Sequence, residues 1–271
     1  MLIALDENNE RIIASRAKKR QRYYCQGCGE LLSLKSGEIR RPHFAHKNGS
    51  ACEYTANKTE WHFEWQECFG LENAEKSFSL SRHKHVADIQ IGDTVIEFQH
   101  SSIDCSEILA RNEFYFAWGL KTIWVFDVRD DFDCDRLRCY RRNGNRQNWR
   151  FEWRRPNSAV LAALDNGYAV FLQATDDWLI EITWCPTFCY YSAGYKNGFR
   201  HEAGEIGRSI KKFSGTIMKK DFFVRSVKSR IDMDYVPRIE EETESTEFIL
   251  DKIEEGYTVD QACDLWNERC K

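Results

Sequence analysis

The stretch Ala87-Asp88-Ile89-Gln90-Ile91, then Gly92-Asp93, then Thr94-Val95-Ile96-Glu97-Phe98-Gln99 limits the fold more than any other part of the chain. Apolar and polar residues alternate on both sides of a dipeptide that tolerates a tight turn, the pattern of a two-residue β-hairpin. With Gly92 and Asp93 at the turn, Ile91 pairs with Thr94, Gln90 with Val95, Ile89 with Ile96 and Asp88 with Glu97. The period of two sends Ile89, Ile91, Ile96 and Phe98 to an apolar face and Asp88, Glu97 and Gln99 to the other. Directly opposed Cβ atoms lie roughly 4.5–5.5 Å apart, so two ionised carboxylates there repel unless something compensates. A divalent cation is one compensation; a fully solvated outer face is the other.

Context helps to choose. A chain of 271 residues can bury a real core as one large or two smaller domains. It contains no apolar run near the ~18 residues that span a bilayer, and its first 30 residues are polar, so a cytoplasmic protein with no membrane contact is expected. Eleven cysteines in that compartment point to metal ligation or buried thiols rather than a disulfide frame. Tyr24-Cys25-Gln26-Gly27-Cys28-Gly29 contains C-x2-C, Arg41-Pro42-His43-Phe44-Ala45-His46 follows, and Cys52 comes after it. Zinc takes four nitrogen or sulfur ligands in a tetrahedron, and C-x2-C supplies two thiolates from one turn. Cys25, Cys28, His46 and Cys52 are therefore the expected Zn²⁺ ligands, with His43 as the alternative histidine. The role expected is structural, because so short a segment needs the metal to hold together.

The net charge of −4 hides an uneven distribution. Residues 1–50 carry 10 Lys/Arg against 5 Asp/Glu, while residues 238–271 carry 4 against 11. From Arg136 to Arg155, arginines including Arg141, Arg142, Arg150 and Arg154 interleave with Tyr140, Trp149, Phe151 and Trp153. That composition suits a surface that neutralises phosphates and stacks on bases, and equally an exposed hairpin with solvated arginines over an apolar underside.

The pattern along the chain divides it into four. Residues 1–56 hold an opening hairpin (Leu2–Leu5, Arg11–Ala14) and the cysteine knuckle. Residues 57–128 read as a helix over Lys58–Leu71 with Asn57 or Thr59 as cap, a strand at Lys76–Ser81, the hairpin, a helix over Cys105–Leu120 and a buried strand at Thr122–Phe126. Residues 129–237 read as a β-rich appendage with strands near Trp149–Trp153, Tyr168–Gln173 and Trp178–Trp184. Residues 238–271 read as an acidic linker, Glu240–Glu247, and a pair of acidic helices better suited to a protein partner than to a DNA groove.

Helix, three strands, helix, strand, with an acid on the second strand and Glu97-Phe98-Gln99 as E-x-Q on the third, resembles the restriction-endonuclease-like or PD-(D/E)XK fold, an α+β class built on an αβββαβ core. The ordered motifs C-x2-C-G, R-P-H-F-A-H, E-W-H, A-D-I, I-E-F-Q and W-x-F-D, over about residues 20–127, resemble the competence protein CoiA-like family of that superfamily. The resemblance implies that Asp88 and Glu97 ligate Mg²⁺ or Mn²⁺ and that Gln99 stands where lysine usually orients the attacking water. It also implies that Glu60 reaches the metal or its water from the first helix and that His62 contacts water or phosphate. Glutamine carries no charge, so water activation would lean more heavily on the metal. Arg82 and Lys84, beside His83 and His85, are the phosphate contacts expected at the start of the second strand. The implied activity is hydrolysis of DNA phosphodiester bonds, single- or double-stranded, with RNA left open, in DNA uptake, recombination or defence against foreign DNA. The competing expectation is a non-catalytic zinc-containing DNA-binding factor that works with recombination or competence proteins.

Overall fold

A computed structural model of the chain describes residues 1–37, 40–47, 50, 52, 58–80, 83–141, 149–166, 169–185, 187–189, 194–196, 199–201, 206–208 and 210–229. Arg82, Arg142, the acidic run and the expected C-terminal helices lie outside these residues. The chain forms two compact units, Met1–His100 with Ala110–Trp124, and Ser101–Leu109 with Val125–Lys271. The cysteine-rich segment and most of the expected core therefore share one unit.

That first unit opens with strands β1 (Ile3–Leu5), β2 (Arg11–Ile13), β3 (Tyr23–Tyr24), β4 (Leu31–Lys35) and β5 (His43–Ala45). They form an antiparallel sheet in the order β2-β1-β3-β4-β5, and the expected opening hairpin is present with Ala4 opposite Ile12. Its core is small: Ala4, Ala14, Tyr23, Cys25, Leu32 and Phe44, with Cys52 packed against it. At roughly 1.5–3 kcal/mol for each large side chain buried, such a core is marginal without an added crosslink.

Helix α1 (Glu60–Phe69) follows, then β6 (Ala74–Leu80), β7 (His83–Ile91), β8 (Thr94–Gln99), α2 (Cys105–Ala117) and β9 (Lys121–Asp127). The expected αβββαβ order is thus realised. Within the first unit the strands lie in the order β6-β7-β8, followed by the Lys121–Trp124 part of β9. Thr59 caps α1 in extended conformation, and Gly70 ends it at φ 90°, a left-handed value that glycine tolerates. The helix buries Trp61, Trp65 and Phe69, at four-residue spacing on one face, and Phe63 besides. The β7–β8 register is the one the sequence predicts: Ile91 opposite Thr94, Gln90 opposite Val95, Ile89 opposite Ile96. Gly92 takes φ 59° at the first turn position, which explains why that position is glycine. Ile89, Ile96 and Phe98 are buried, and the Phe98 ring stacks on Trp65 at 5.0 Å and meets Trp61 edge-on at 5.9 Å.

In the second unit α3 (Arg129–Asp133), β10 (Leu137–Arg141), β11 (Trp149–Trp153), α4 (Ser158–Asn166), β12 (Ala169–Gln173) and β13 (Trp178–Trp184) precede two short two-stranded pairings. These pairings join β14 (Thr187–Cys189) to β17 (Ile206–Arg208), and β15 (Gly194–Lys196) to β16 (Phe199–His201). Strand β18 (Lys212–Lys219) and helix α5 (Lys220–Lys228) complete the described chain. Five strands lie in the order β10-β11-β18-β13-β12 in this part of the chain. The arginine–aromatic segment needs one correction. Trp149, Phe151 and Trp153 are buried at 3%, 0% and 1% exposure, with Phe151 stacked on Phe213 at 5.0 Å, so they form core and cannot stack on bases. The period of two leaves Arg150 on the opposite face of β11.

Candidate functional site

Two clusters of metal-competent side chains lie in the first unit. In the first, C-x2-C folds into a tight turn in which the Gly27 amide donates to Cys25 Sγ and the Glu30 amide to Cys28 Sγ, each at 3.4 Å. His46, just beyond β5, and Cys52 join them. Cys25 and Cys52 sulfurs are 3.9 Å apart, Cys28 Sγ is 3.3 Å from His46 Nε2, and all four donor atoms lie within 4.8 Å of one another. A tetrahedron with zinc–sulfur bonds of about 2.3 Å has sulfur–sulfur edges of about 3.8 Å, so this set can bind zinc. His46 and not His43 is the histidine whose donor atom converges with the three sulfurs. Burial lowers the His46 pKa, favouring the neutral imidazole that a metal requires.

The second cluster is a row of three acids across the sheet. Asp88, on β7, and Glu97, on β8, are 6% and 2% exposed. On the far side of β7, the pairs Ala74–Ile89 and Lys76–Ala87 bracket Glu75 opposite Asp88, and Glu75 is 1% exposed. Buried carboxylates need partners, and each has them. Lys58, the residue before the α1 cap, places Nζ 2.6 Å from Asp88 Oδ1 and 3.4 Å from Glu75 Oε1. The Phe98 amide donates to Asp88 Oδ2 at 3.0 Å. Glu75 accepts from the Leu2 amide at 3.1 Å and the Ile3 amide at 2.9 Å, tying β1 to the second cluster. From α2, Tyr115 donates to Glu97 Oε1 at 2.7 Å and Arg111 to Oε2 at 2.9 Å.

The electrostatics separate the acids. Burial pushes the Asp88 carboxyl up, but Lys58, His62 and the Phe98 amide outweigh it and hold Asp88 below the ordinary carboxylate range. Burial likewise acts on Glu75 and is outweighed by Lys58, then the Met1 amino group, then the Leu2 and Ile3 amides. Burial dominates at Glu97, where Asp88 adds to it and Arg111 opposes, so the pKa is pushed up to about 7. Burial opposes charge on Lys58 too, yet the acids, Asp88 foremost, raise its pKa. The cations around the three carboxylates are Lys58 and Arg111 and, beside Glu75, the Met1 amino group and Arg11. Each carboxylate oxygen has lone pairs beyond the one its partner takes, so hard oxygen donors remain for a cation such as Mg²⁺.

The other expected residues fall into different places. Glu60 is not in the acid row: its side chain is 61% exposed and pairs with Arg41, and the member of this segment that reaches Asp88 is Lys58. His62 serves the fold. The Thr59 amide donates to its Nδ1 at 3.3 Å, which leaves Nε2–H to donate to the Phe98 carbonyl at 3.0 Å, so both nitrogens are occupied within the protein. Burial lowers the His62 pKa. Gln99 ends β8 and is half-buried. Lys84 is exposed on β7; Arg150 is half-buried on β11, Arg154 is exposed, and Arg141 ends β10. Sequence reasoning missed Lys58, Glu75, Arg111 and Tyr115.

A mixed α+β protein with an αβββαβ domain, a buried acid row and a zinc-competent Cys/His cluster has the make-up of a nuclease-like domain behind a knuckle. Residues 5–55 match the family model described as competence protein CoiA, N-terminal domain, and residues 63–160 match that described as competence protein CoiA, nuclease-like domain. The chain belongs to the competence protein CoiA-like family. No match was found among curated proteins or among solved structures. Among the described residues, no helix is long and apolar enough to cross a membrane.

Proposed function

We propose that the chain is a metal-dependent DNA nuclease of the PD-(D/E)XK type, in which Asp88 and Glu97 hold Mg²⁺ or Mn²⁺ and the Cys25, Cys28, His46 and Cys52 set holds a structural zinc. The observation that carries this reading is the burial of two neighbouring carboxylates on β7 and β8, one of them with its pKa raised to about 7, inside a domain that matches a nuclease-like model. Burying acids side by side costs stability that a divalent cation would offset, and perturbed acids of this kind concentrate at functional sites. The bound metal would lower the pKa of a water molecule and neutralise charge on the phosphate. The protein's own groups have distinct parts. Phe98 N–H orients Asp88, Tyr115 and Arg111 orient Glu97, and Gln99 projects an amide able to hydrogen-bond the attacking water. Lys84, Arg150 and Arg154 are the candidate phosphate contacts among the described residues, and Arg82, Arg141 and Arg142 extend that set.

One observation favours a second reading, a non-catalytic zinc-containing DNA-binding factor: every oxygen of Asp88 and Glu97 already has a partner inside the protein. Asp88→Ala and Glu97→Ala separate the two. Incubated with linear, circular and single-stranded DNA in Mg²⁺ or Mn²⁺, the wild type should cut and the variants should bind without cutting. A wild type that cuts no form of DNA under these metals favours the binding factor.

A further inference from the structure

The E-x-Q ending of β8 leaves the nuclease reading without the cation that a lysine would provide two residues after Glu97. The neighbourhood nevertheless contains an ammonium. Lys58 lies on the connection into α1, with Nζ 2.6 Å from Asp88 and 3.4 Å from Glu75. We propose that Lys58 supplies the phosphate-facing positive charge that Gln99 lacks, and that Glu75 is the positioning residue that holds it there; this rests on the nuclease reading above.

The surroundings of Lys58 are built rather than incidental. Thr59 is locked as the α1 cap by its contacts with His62 Nδ1, and His62 is in turn tied to the Phe98 carbonyl, so the residue before the cap is fixed relative to β8. Glu75 is anchored by the Leu2 and Ile3 amides and sits at φ 49°, a left-handed value uncommon for a glutamate in a strand. Such outliers persist where the surroundings over-determine them and cluster at functional sites. Among the described residues, two of the three N–H donors of Lys58 are engaged by Asp88 and Glu75, which leaves a third for a phosphate oxygen. Its side chain is 19% exposed, more than those of the two acids it pairs with, at 9% and 1%. In the reaction, a water oxygen bonds to phosphorus as the bond from phosphorus to the leaving sugar oxygen breaks. The water proton passes to solvent and the leaving oxygen takes one from solvent. Lys58 keeps its three protons throughout and opposes the negative charge that grows on a non-bridging oxygen.

The test uses the full chain and three readouts: DNA cleavage in single turnover, Mn²⁺ binding by calorimetry without DNA, and thermal melting. Lys58→Met should cut about 100-fold more slowly, the scale seen when one electrostatic donor to a transition state is removed. Its Mn²⁺ affinity should hold or tighten, because a repelling cation has gone. Lys58→Met with Gln99→Lys should recover about tenfold of the lost rate, which a merely structural lysine would not allow. Glu75→Gln should also slow cleavage, and that loss should vanish in the Lys58→Met, Gln99→Lys background. Since Lys58→Met leaves two buried acids without their cation, Lys58→Met with Glu75→Gln serves as the folded control, and it should melt cooperatively and show the same slow cleavage. Cleavage by Lys58→Met within about threefold of wild type, or no recovery with Gln99→Lys, overturns the assignment of Lys58 while leaving the nuclease reading in place. A wild type that cuts nothing overturns that reading as well.

Discussion

The Cys/His cluster and the acid row occupy the same unit yet are assembled in opposite ways. The four soft donors come from one short segment, the farthest pair being 27 residues apart, and two of the sulfurs are already hydrogen-bonded by amides of their own turn. The acids depend on groups brought from far along the chain: Lys58 is 30 residues from Asp88, and the Leu2 amide is 73 from Glu75. A local site stands or falls with its metal, whereas a dispersed one is held by the fold and can be tuned one partner at a time. The β1 amides on Glu75 are where the two meet.

The largest expected effect tests whether the first cluster depends on its metal. Cys25→Ala should reduce bound zinc from about one equivalent to none by elemental analysis and unfold the N-terminal sheet in limited proteolysis, because zinc supplies on the order of 10 kcal/mol to such modules. Retention of zinc through His43 would break the contrast. Next comes the pH dependence of the acid row. Glu97 has its folded pKa raised from 4.5 to about 7, so its contribution to stability is fully present below 4.5 and lost as pH rises through about 7. By pH 8 the ionised side chain costs roughly 3 kcal/mol. Without added Mg²⁺ or Mn²⁺, Glu97→Gln should therefore melt above the wild type at pH 8, and the gap should close by pH 5. Equal melting curves across that range would mean that Glu97 is already compensated in the empty site.

Smaller effects belong to the groups behind the acids. Tyr115→Phe and Arg111→Gln should each weaken Mn²⁺ binding or cleavage by about 10–100-fold, the usual cost of losing a group that orients a metal ligand. Wild-type behaviour in both would indicate that α2 serves only the fold. Smallest is His62→Gln, with a loss of about 1 kcal/mol from the α1 cap and the Phe98 bond. Burial lowers the His62 pKa, so its stabilisation is present above about 6.5 and fades as pH falls. The melting gap between variant and wild type should accordingly be wider at pH 7.5 than at pH 5.5.

Local pattern made much of this legible from the residues. The hairpin register followed from the alternation around Gly92-Asp93, the zinc-competent set from C-x2-C with His46 and Cys52, and α1 from the spacing of its tryptophans. Lys58 and Glu75 could not be read in that way, because neither periodicity nor turn chemistry reveals a bond between segments 30 or 73 residues apart. Glu60 was the better-looking acid by position, at the first turn of the helix, yet that first turn faces Arg41. The arginine–aromatic segment misled for a related reason. Composition counts aromatic rings without regard to side, and the strand period of two in β11 turns all three of its rings inward.

Phe98 concentrates an unusual share of the connections, with its amide on Asp88, its carbonyl on His62 and its ring on Trp65. Its main chain and its side chain therefore answer to different requirements. A leucine at this position could keep both main-chain bonds and sacrifice only packing, whereas a proline would delete the N–H that steadies Asp88 and disturb the strand that presents Glu97. What is indispensable at position 98 is thus an ordinary peptide group in the right place, a requirement that alanine scanning would pass over.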